Sequence, residues 1–322
     1  MNRDYVTYAL RRGGQAVVVV GLAYVFTFLV ISVLPGDPVT TTLRNPENGF
    51  TEEEIARIVA YYGLDQPVVV QLWESLSRFV LGDLGVSLRS NRPVADMIAE
   101  VLPSTLLLAG SALGVAVVLA FGIAFGTQYL PRPVAQVLRA FPSLFLSVPN
   151  FLIGLLLIQL FSFQLGLFRA FDSDGAAATF FAALTLGIPV SAQIAEVLIA
   201  NLDREAGQEY AAVARSRGLG RVPLLLRHLL KPSSLPVVTI LALTVGELLG
   251  GAVITESVFG RTGVGSLVES SVASQDLPVL QAIVTLAAVV FVVVNLIADL
   301  VYPLLDPRVR LQTRPERGVA AR

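Results

Sequence analysis

The chain has 322 residues, 54% hydrophobic and 15% charged, with a formal net charge of −1, a mean hydropathy of +0.72 and no cysteine. That balance excludes a water-soluble globule with a polar covering face, and the missing cysteines exclude disulfide and thiolate chemistry. The near-neutral total averages an acidic side with a basic one and gives no reason to expect nucleic acid as a partner.

A bilayer core of about 30 Å takes about 20 helical residues to cross. Six apolar segments reach that length: 15–34, 106–127, 140–163, 176–200, 235–254 and 279–302. The chain reads as an all-α polytopic membrane protein. The first segment comes after Arg3, Arg11 and Arg12 as a signal peptide would, but its apolar run is too long. It leads into Leu34-Pro35-Gly36-Asp37-Pro38, not a small-residue cleavage site, so 1–34 reads as a short cytoplasmic start and a retained span.

Residues 35–100 form a polar segment between the first and second spans. Thr51 and Glu54 fit a capping box that opens an amphipathic helix, "EIARIVAYYGL", ended by Gly63. "QPVVVQLWESLSRFVLGDLGVSL" reads as a second amphipathic helix at the membrane surface, closing in a glycine-rich turn. Two roles fit this segment, a helical lid on the bundle and a docking surface for an outside partner.

Residues 101–305 read as the membrane core. The pairs Gly110/Gly114, Gly122/Gly126 and Gly246/Gly250 are small residues four apart, which let helix backbones approach closely in lipid. Pro142, Pro149 and Pro189 interrupt the third and fourth spans and predict kinks. No internal repeat is visible, which weighs against an inverted-repeat transporter. Ionisable residues inside spans are costly. Glu247 is the deepest, halfway along the fifth span, and should face the bundle interior or a polar cavity, as a pathway residue or as a buried hydrogen-bonded carboxyl. Glu196, Glu256 and Asp299 lie nearer span ends, where water, headgroups or a helix end could meet them.

Between the fourth and fifth spans, 201–234 is far more charged than its surroundings: "GQEYAAVARSRGLGRVPLLLRHLLKP". The spacing predicts a helix over 201–217 that Gly218 ends in a left-handed conformation. Pro223 then suits the first turn of a second helix, "PLLLRHLL", which should stop near Lys231 because Pro232 comes next. At roughly eight to ten residues it is too short to cross a bilayer. Its leucines fit a groove on a partner protein, and its basic flank fits anionic headgroups. With the first residue in the cytoplasm, sixteen of the 23 basic residues fall on the cytoplasmic side, the 306–322 tail included, and the short outer loops keep only Arg169 and Arg261. Both termini are therefore expected inside.

The chain carries no G-x-x-x-x-G-K-[ST] signature, and its single lysine is Lys231. Its single histidine, His228, has no companion for a metal site or a catalytic arrangement. No enzyme activity of its own and no cofactor are expected.

"EYAAVARSRGLG" resembles the EAA loop of ABC importer permeases, in the version carried by the dipeptide/oligopeptide/nickel family. "LPGDPV", "YGLDQPVVVQ", "GDLGVSL", "LPSTLLLA", "LPVVT", "GGAVITESVFGRTGVGSLV" and "LLDPRVR" agree with that family in the same order, along nearly the whole chain. The match is to the first of two permease subunits. The resemblance implies six helices of the type I ABC importer permease fold, with an extracytoplasmic helical segment after the first. It implies a bacterial inner-membrane protein that pairs with a second permease, two ATP-binding cassette ATPase subunits and an extracytoplasmic substrate-binding protein, and that moves peptides. Glu209, Tyr210, Ala211, Arg215 and Gly218 match the loop motif, and the short helix with Leu219, Arg221 and His228 would seat in an ATPase cleft. Gln193, Glu247 and Glu256 are candidates for the substrate pathway. A small or uncharged residue is common in the family where this chain has Glu247, whose charge is expected to favour a substrate with a positive group. The rival reading is an ion- or proton-coupled secondary transporter with Glu247 as the coupling carboxylate.

Overall fold

The computed structural model describes residues 3–33, 51–63, 66–170 and 175–305. The stretches "LPGDPV" and 306–322, part of "YGLDQ" and most of "LLDPRVR" lie outside the described residues. The described chain is helical, with one isolated antiparallel bridge, Val86 to Pro93.

Helix α1 covers Arg3–Val33, and two short helices, α2 (Glu52–Tyr62) and α3 (Val68–Val80), precede the long α4 (Val94–Tyr129). Then come α5 (Arg132–Leu146) and α6 (Asn150–Leu157), which ends in a wide π-helical stretch over Ile158–Gln164. Helix α7 covers Ala176–Ala206 and α8 Glu209–Ser216. Helix α9 (Arg221–Leu224) runs through a π-helical turn at Leu225–Leu229 into α10 (Leu230–Phe259), and α11 (Val264–Ala273) and α12 (Leu277–Leu305) complete the described chain. Five of these helical runs are long and apolar enough to cross a membrane alone, and a sixth span arises if α5 and α6 count as one.

That sixth span differs from the straight segment expected at 140–163. It is bent by 109° between Leu146 and Asn150. Pro149 is the cause: it is the cap residue of α6, and the residue before a proline is pushed out of helical geometry. Pro142 and Pro189 sit inside α5 and α7 without ending them.

The core is the crossing of α4 and α7. Ala112, Ala116, Ala120 and Ala124 recur every four residues on one face of α4 and are all 0% exposed. They share one core cluster with Leu186, Val190, Ile194, Leu198 and Leu202 of α7. In lipid there is no hydrophobic drive for such a contact, so close packing must supply it. The closest approach is at Gly187, where a Cβ would stand 2.9 Å from the Ala112 carbonyl oxygen and from Val115. The glycine pairs read from the sequence are not this contact: Gly110, Gly114, Gly122 and Gly250 face open space, although Gly126 packs on Leu138 and Gly246 on Phe291.

Helices α1 and α12 lie together, tied by an Arg12–Asp299 ion pair of 3.1 Å and a Tyr8 hydroxyl on the Asp299 carbonyl. Tyr24 of α1 stacks on Phe79 of α3 and shares a 2.5 Å hydrogen bond with Ser75. In α2 the capping box is formed as expected: Glu54 N–H donates to the Thr51 hydroxyl, and Thr51 N–H donates to the Glu54 carboxylate at 2.9 Å. The Thr51 N–H holds the Glu54 carboxyl below its usual range. Gly63 ends the helix at φ 61°.

The turn after α3 is locked to the bundle. Tyr62 donates to the Val86 carbonyl at 2.8 Å and accepts from Val86 N–H at 2.9 Å, and burial raises its hydroxyl well above the ordinary tyrosine range. Gly85 has φ +85°, and a Cβ there would fall 2.5 Å from the Tyr62 hydroxyl. The buried Asp276 carboxylate accepts from the Ser87 hydroxyl at 2.5 Å and from Leu88 N–H at 3.1 Å, pinning the segment to the turn before α12.

Substituting Gly187→Ala forces a methyl into the Ala112 carbonyl, and overpacking of this kind costs about 1–3 kcal/mol. Its melting temperature in detergent should fall clearly, whereas Gly114→Ala, which meets open space, should melt at or slightly above the wild-type value.

Candidate coupling loop and mid-span polar pair

The polar contacts sort the helices into two ends. Ser104 of α4, Thr179 of α7 and Arg261 after α10 meet at the end that carries the 51–93 segment. Gln128, Arg139 and Asp203 meet at the opposite end, where the charged loop lies. There the Arg139 guanidinium grips the Asp203 carboxylate with both terminal nitrogens, at 2.5 and 3.0 Å, and Gln128 donates to it at 2.9 Å. One carboxylate thus ties α4, α5 and α7 together beside the loop.

The single helix expected over 201–217 is two helices. Helix α7 stops at Ala206, Gly207 and Gln208 make the break, and α8 starts at Glu209. Glu209 stands in the first turn of α8, where a negative charge meets the positive helix end. The Arg215 guanidinium donates to the Ala206 carbonyl at 3.0 Å, satisfying a carbonyl left free by the end of α7. Tyr210 donates to the Glu205 carboxylate at 2.6 Å, and its partial desolvation and this carboxylate push the hydroxyl up to about 12. These two bonds fold α8 back onto the end of α7. Ala211 is 0% exposed and joins the main core, so a larger side chain has no room there.

Gly218 has φ +82°, the left-handed conformation expected of it. Its N–H donates to the Arg215 carbonyl at 3.0 Å, and Leu219 N–H reaches the Ala214 carbonyl at 3.1 Å, the double bond of a Schellman termination. Leu219 tucks against the core.

The next helix does not stop at Pro232. Leu230 N–H reaches back five residues to the Leu225 carbonyl, and this wide turn shifts the hydrogen-bond register just ahead of the proline. The helix then runs through Pro232 and Pro236 to Phe259, and Arg221–Phe259 forms one run of 39 residues. Nor are its leucines all waiting for a cover. Leu224, Leu225 and Leu229 are buried in the chain's own core. Tyr210, Val213, Val222 and Leu226 remain open, as do Arg215, Arg217, Arg221, Arg227 and His228 of the same stretch.

Halfway along α10, the Glu247 carboxylate accepts a 2.7 Å hydrogen bond from Gln193 of α7. Two of the residues singled out for the pathway are therefore neighbours. They line a pocket of about 130 Å³ with Phe145 and Val148 at the α5–α6 bend, Asn150 and Pro189. The bend opens room that a straight third span would fill.

Glu256 belongs elsewhere. It is 0% exposed and accepts from the Thr105 hydroxyl at 2.6 Å and from Gly265 N–H at 2.7 Å, at the start of α11. It thus meets a helix end and does not line the pocket. A Cβ at Gly263 would fall 2.1 Å from its carboxylate, and one at Gly265 would fall 2.4 Å from the Val253 Cα, so "GRTGVG" needs both glycines for this approach. Arg261, placed by the sequence in a short outer loop, is 4% exposed, with its guanidinium on Thr179 at 2.7 Å and Ser104 at 3.4 Å. Sequence reasoning also missed Asp203 and Arg139. Their only sequence signal was an acidic and a basic residue near the same predicted membrane face.

The fold and these features define an importer permease: a polytopic helical bundle with a charged loop helix at one end and a polar pair in mid-span. Two family models match. "Binding-protein-dependent transport system inner membrane component" covers residues 102–311, and the N-terminal model of the same membrane component covers 5–109. The chain belongs to this family and is a permease subunit of an ABC importer. The glutathione transport system permease protein GsiC of Escherichia coli (strain K12) is 34% identical over 308 residues, 95% of this chain and 99% of that one. GsiC of Shigella flexneri serotype 5b is 33% identical over the same coverage. Among solved structures, an inward-facing conformation of the MetNI methionine ABC transporter superposes with a TM-score of 0.56 at 14% identity, covering 65% of this chain and 96% of that one. An amino acid ABC transporter solved with histidines gives 0.50 at 18%, covering 66% and 94%. At these identities the two structures speak for the fold alone.

Glu256→Ala would strand the Thr105 hydroxyl and the Gly265 N–H in the interior. At about 1–3 kcal/mol for each stranded donor, a strong drop in thermal stability and in membrane yield is expected.

Proposed function

We propose that the chain forms one half of the translocation pathway of an ATP-driven peptide importer. A second, non-identical permease supplies the other half. Two ATPase subunits bind at the loop end and an extracytoplasmic binding protein delivers substrate at the opposite end. Both termini and the loop face the cytoplasm, in line with the arginine distribution. In this reading 1–34 is the cytoplasmic start and first span, 35–100 the extracytoplasmic segment, 101–305 the transmembrane core, 201–234 its coupling loop and 306–322 a cytoplasmic tail.

The observation that carries the reading is the loop. Tyr210, Val213, Val222 and Leu226 stay open while Ala211, Leu224, Leu225 and Leu229 of the same stretch are buried. A patch of open apolar and basic side chains, on a loop fastened by the Arg215 and Tyr210 bonds, suits insertion into a groove on a partner protein. Glu209, Ala211, Gly218 and Leu219 give this patch its shape, and Arg221 and His228 contribute polar contacts at its edge. Hydrolysis of ATP belongs to the partner, since the sequence has no phosphate-binding loop of its own. The peptide class rests on the relatives whose names give glutathione, a peptide, as the transported substrate.

The test is co-purification in mild detergent, comparing wild type with Gly218→Pro, Arg221→Glu. Proline cannot adopt φ +82°, and the second change reverses a charge on the open patch. Wild type should bring down two ATPases and a second permease, and the variant should keep the permease and lose the ATPases. Recovery of the chain with no ATPase in either sample would overturn the reading in favour of a gradient-driven carrier.

A further inference from the structure

Helix α10 has two faces. Val237, Thr244, Leu248, Ala252, Thr255 and Phe259 are buried against the rest of the bundle. Thr239, Leu243, Glu247, Gly250 and Ile254 lie along the other side and are open. A carboxylate halfway along a span does not face hydrocarbon, because the cost of placing it there is roughly 2.5–3.5 kcal/mol even on the mildest scales. The open face of α10 therefore meets water or a polar surface at the level of Glu247.

Within that face, Glu247 is only half satisfied. Gln193 donates one hydrogen bond to one oxygen, and an amide brings no charge. The ion pairs of the described residues are Arg12–Asp299, Arg92–Glu100 and Arg139–Asp203, and none involves Glu247. The adjoining pocket has about 130 Å³ and apolar walls from Phe145, Val148, Leu186 and Leu248. It is too small for a whole ligand, since drug-sized molecules occupy about 300–1,000 Å³, but it admits one end of one. Low-dielectric walls also strengthen the attraction of a lone carboxylate for a cation.

We propose that Glu247 is the counter-charge for a primary ammonium group of the transported ligand, and that Gln193 is a positioning residue that fixes the carboxylate toward the pocket. The ammonium would replace no existing cation and would keep the Gln193 bond intact, because Oε1 of Glu247 is free to accept it. This rests on the peptide-importer reading above, in which the ammonium is a peptide amino terminus.

The experiment uses the complete transporter, with its second permease, ATPases and binding protein, in proteoliposomes. Uptake is measured for a peptide with a free amino terminus and for the same peptide acetylated there, in wild type, Glu247→Gln and Glu247→Asp. The binding protein's own preference is common to all three complexes, so the change in the free-to-acetylated ratio reports the permease. The ratio should fall about tenfold in Glu247→Gln, the worth of one charge-assisted contact, and should be largely restored in Glu247→Asp. Carrying an acetylated peptide with an added lysine through the same three complexes separates the two sources of ammonium: uptake that falls in Glu247→Gln assigns the site to any primary ammonium, and uptake indifferent to Glu247 assigns it to the terminus. An equal loss for both peptides in Glu247→Gln, with co-purification intact, would overturn the inference and leave a purely structural pair. No uptake of either peptide by wild type, while the binding protein still stimulates ATP hydrolysis, would overturn the peptide reading and the inference with it.

Discussion

The structure depends on how closely α4 and α7 approach. Lipid tails solvate a leucine as well as a neighbouring helix does, so two helices stay together only where their surfaces fit better than lipid fits either. The alanine face of α4 and the notch at Gly187 provide that fit, and a carbonyl oxygen lies where any side chain on residue 187 would have to go. Everything of functional interest is hung on this pair. Asp203 sits at one end of α7 and Thr179 at the other, and Gln193 projects between them from the same helix.

Polar side chains then do at the ends what shape does in the middle. At the loop end, Asp203 gathers α4, α5 and α7, and Arg215 and Tyr210 fold α8 back on α7. At the far end, Glu256 caps α11 and Asp276 fastens the 51–93 segment. Each of these carboxylates accepts from two or more donors, and for the buried Glu256 and Asp276 those bonds offset the cost of taking a polar group out of water. Glu247 has one donor, and that difference is why it stands apart from the structural carboxylates.

Much of this was legible in the sequence. Span lengths came from hydropathy, since a bilayer tolerates few other patterns, and the cap at Thr51 and the left-handed Gly218 came from local chemistry alone. The family was legible because its signatures are spread over the chain in a fixed order. The core contact was not. Glycine pairs drew attention to Gly110 and Gly114, whereas the helix crossing used a run of alanines, whose packing role shows only once a partner face is known. Glu256 could have been set apart from Glu247 on spacing alone. Nine residues are about two and a half helical turns, so the two carboxylates point to opposite sides of α10. The passage of the helix through Pro232 could not be read from sequence, because it depends on the wide turn upstream, which no residue pattern there announces.

That unbroken helix has a mechanical meaning. From Arg221 to Phe259 the chain is one helical run, with Val222 and Leu226 open at its loop end, Glu247 partway along it and Glu256 near its other end. Two local irregularities lie toward the loop end of that run: the π-helical turn at Leu225–Leu229, and Pro236, which has no backbone N–H to give to the ladder. In the importer proposed above, a partner seated on the loop end would act on the same continuous helix that carries Glu247. Glu247 and Glu256 ride on that one helix, so the proposal needs no relay of side chains between the loop, the mid-span carboxylate and the far end.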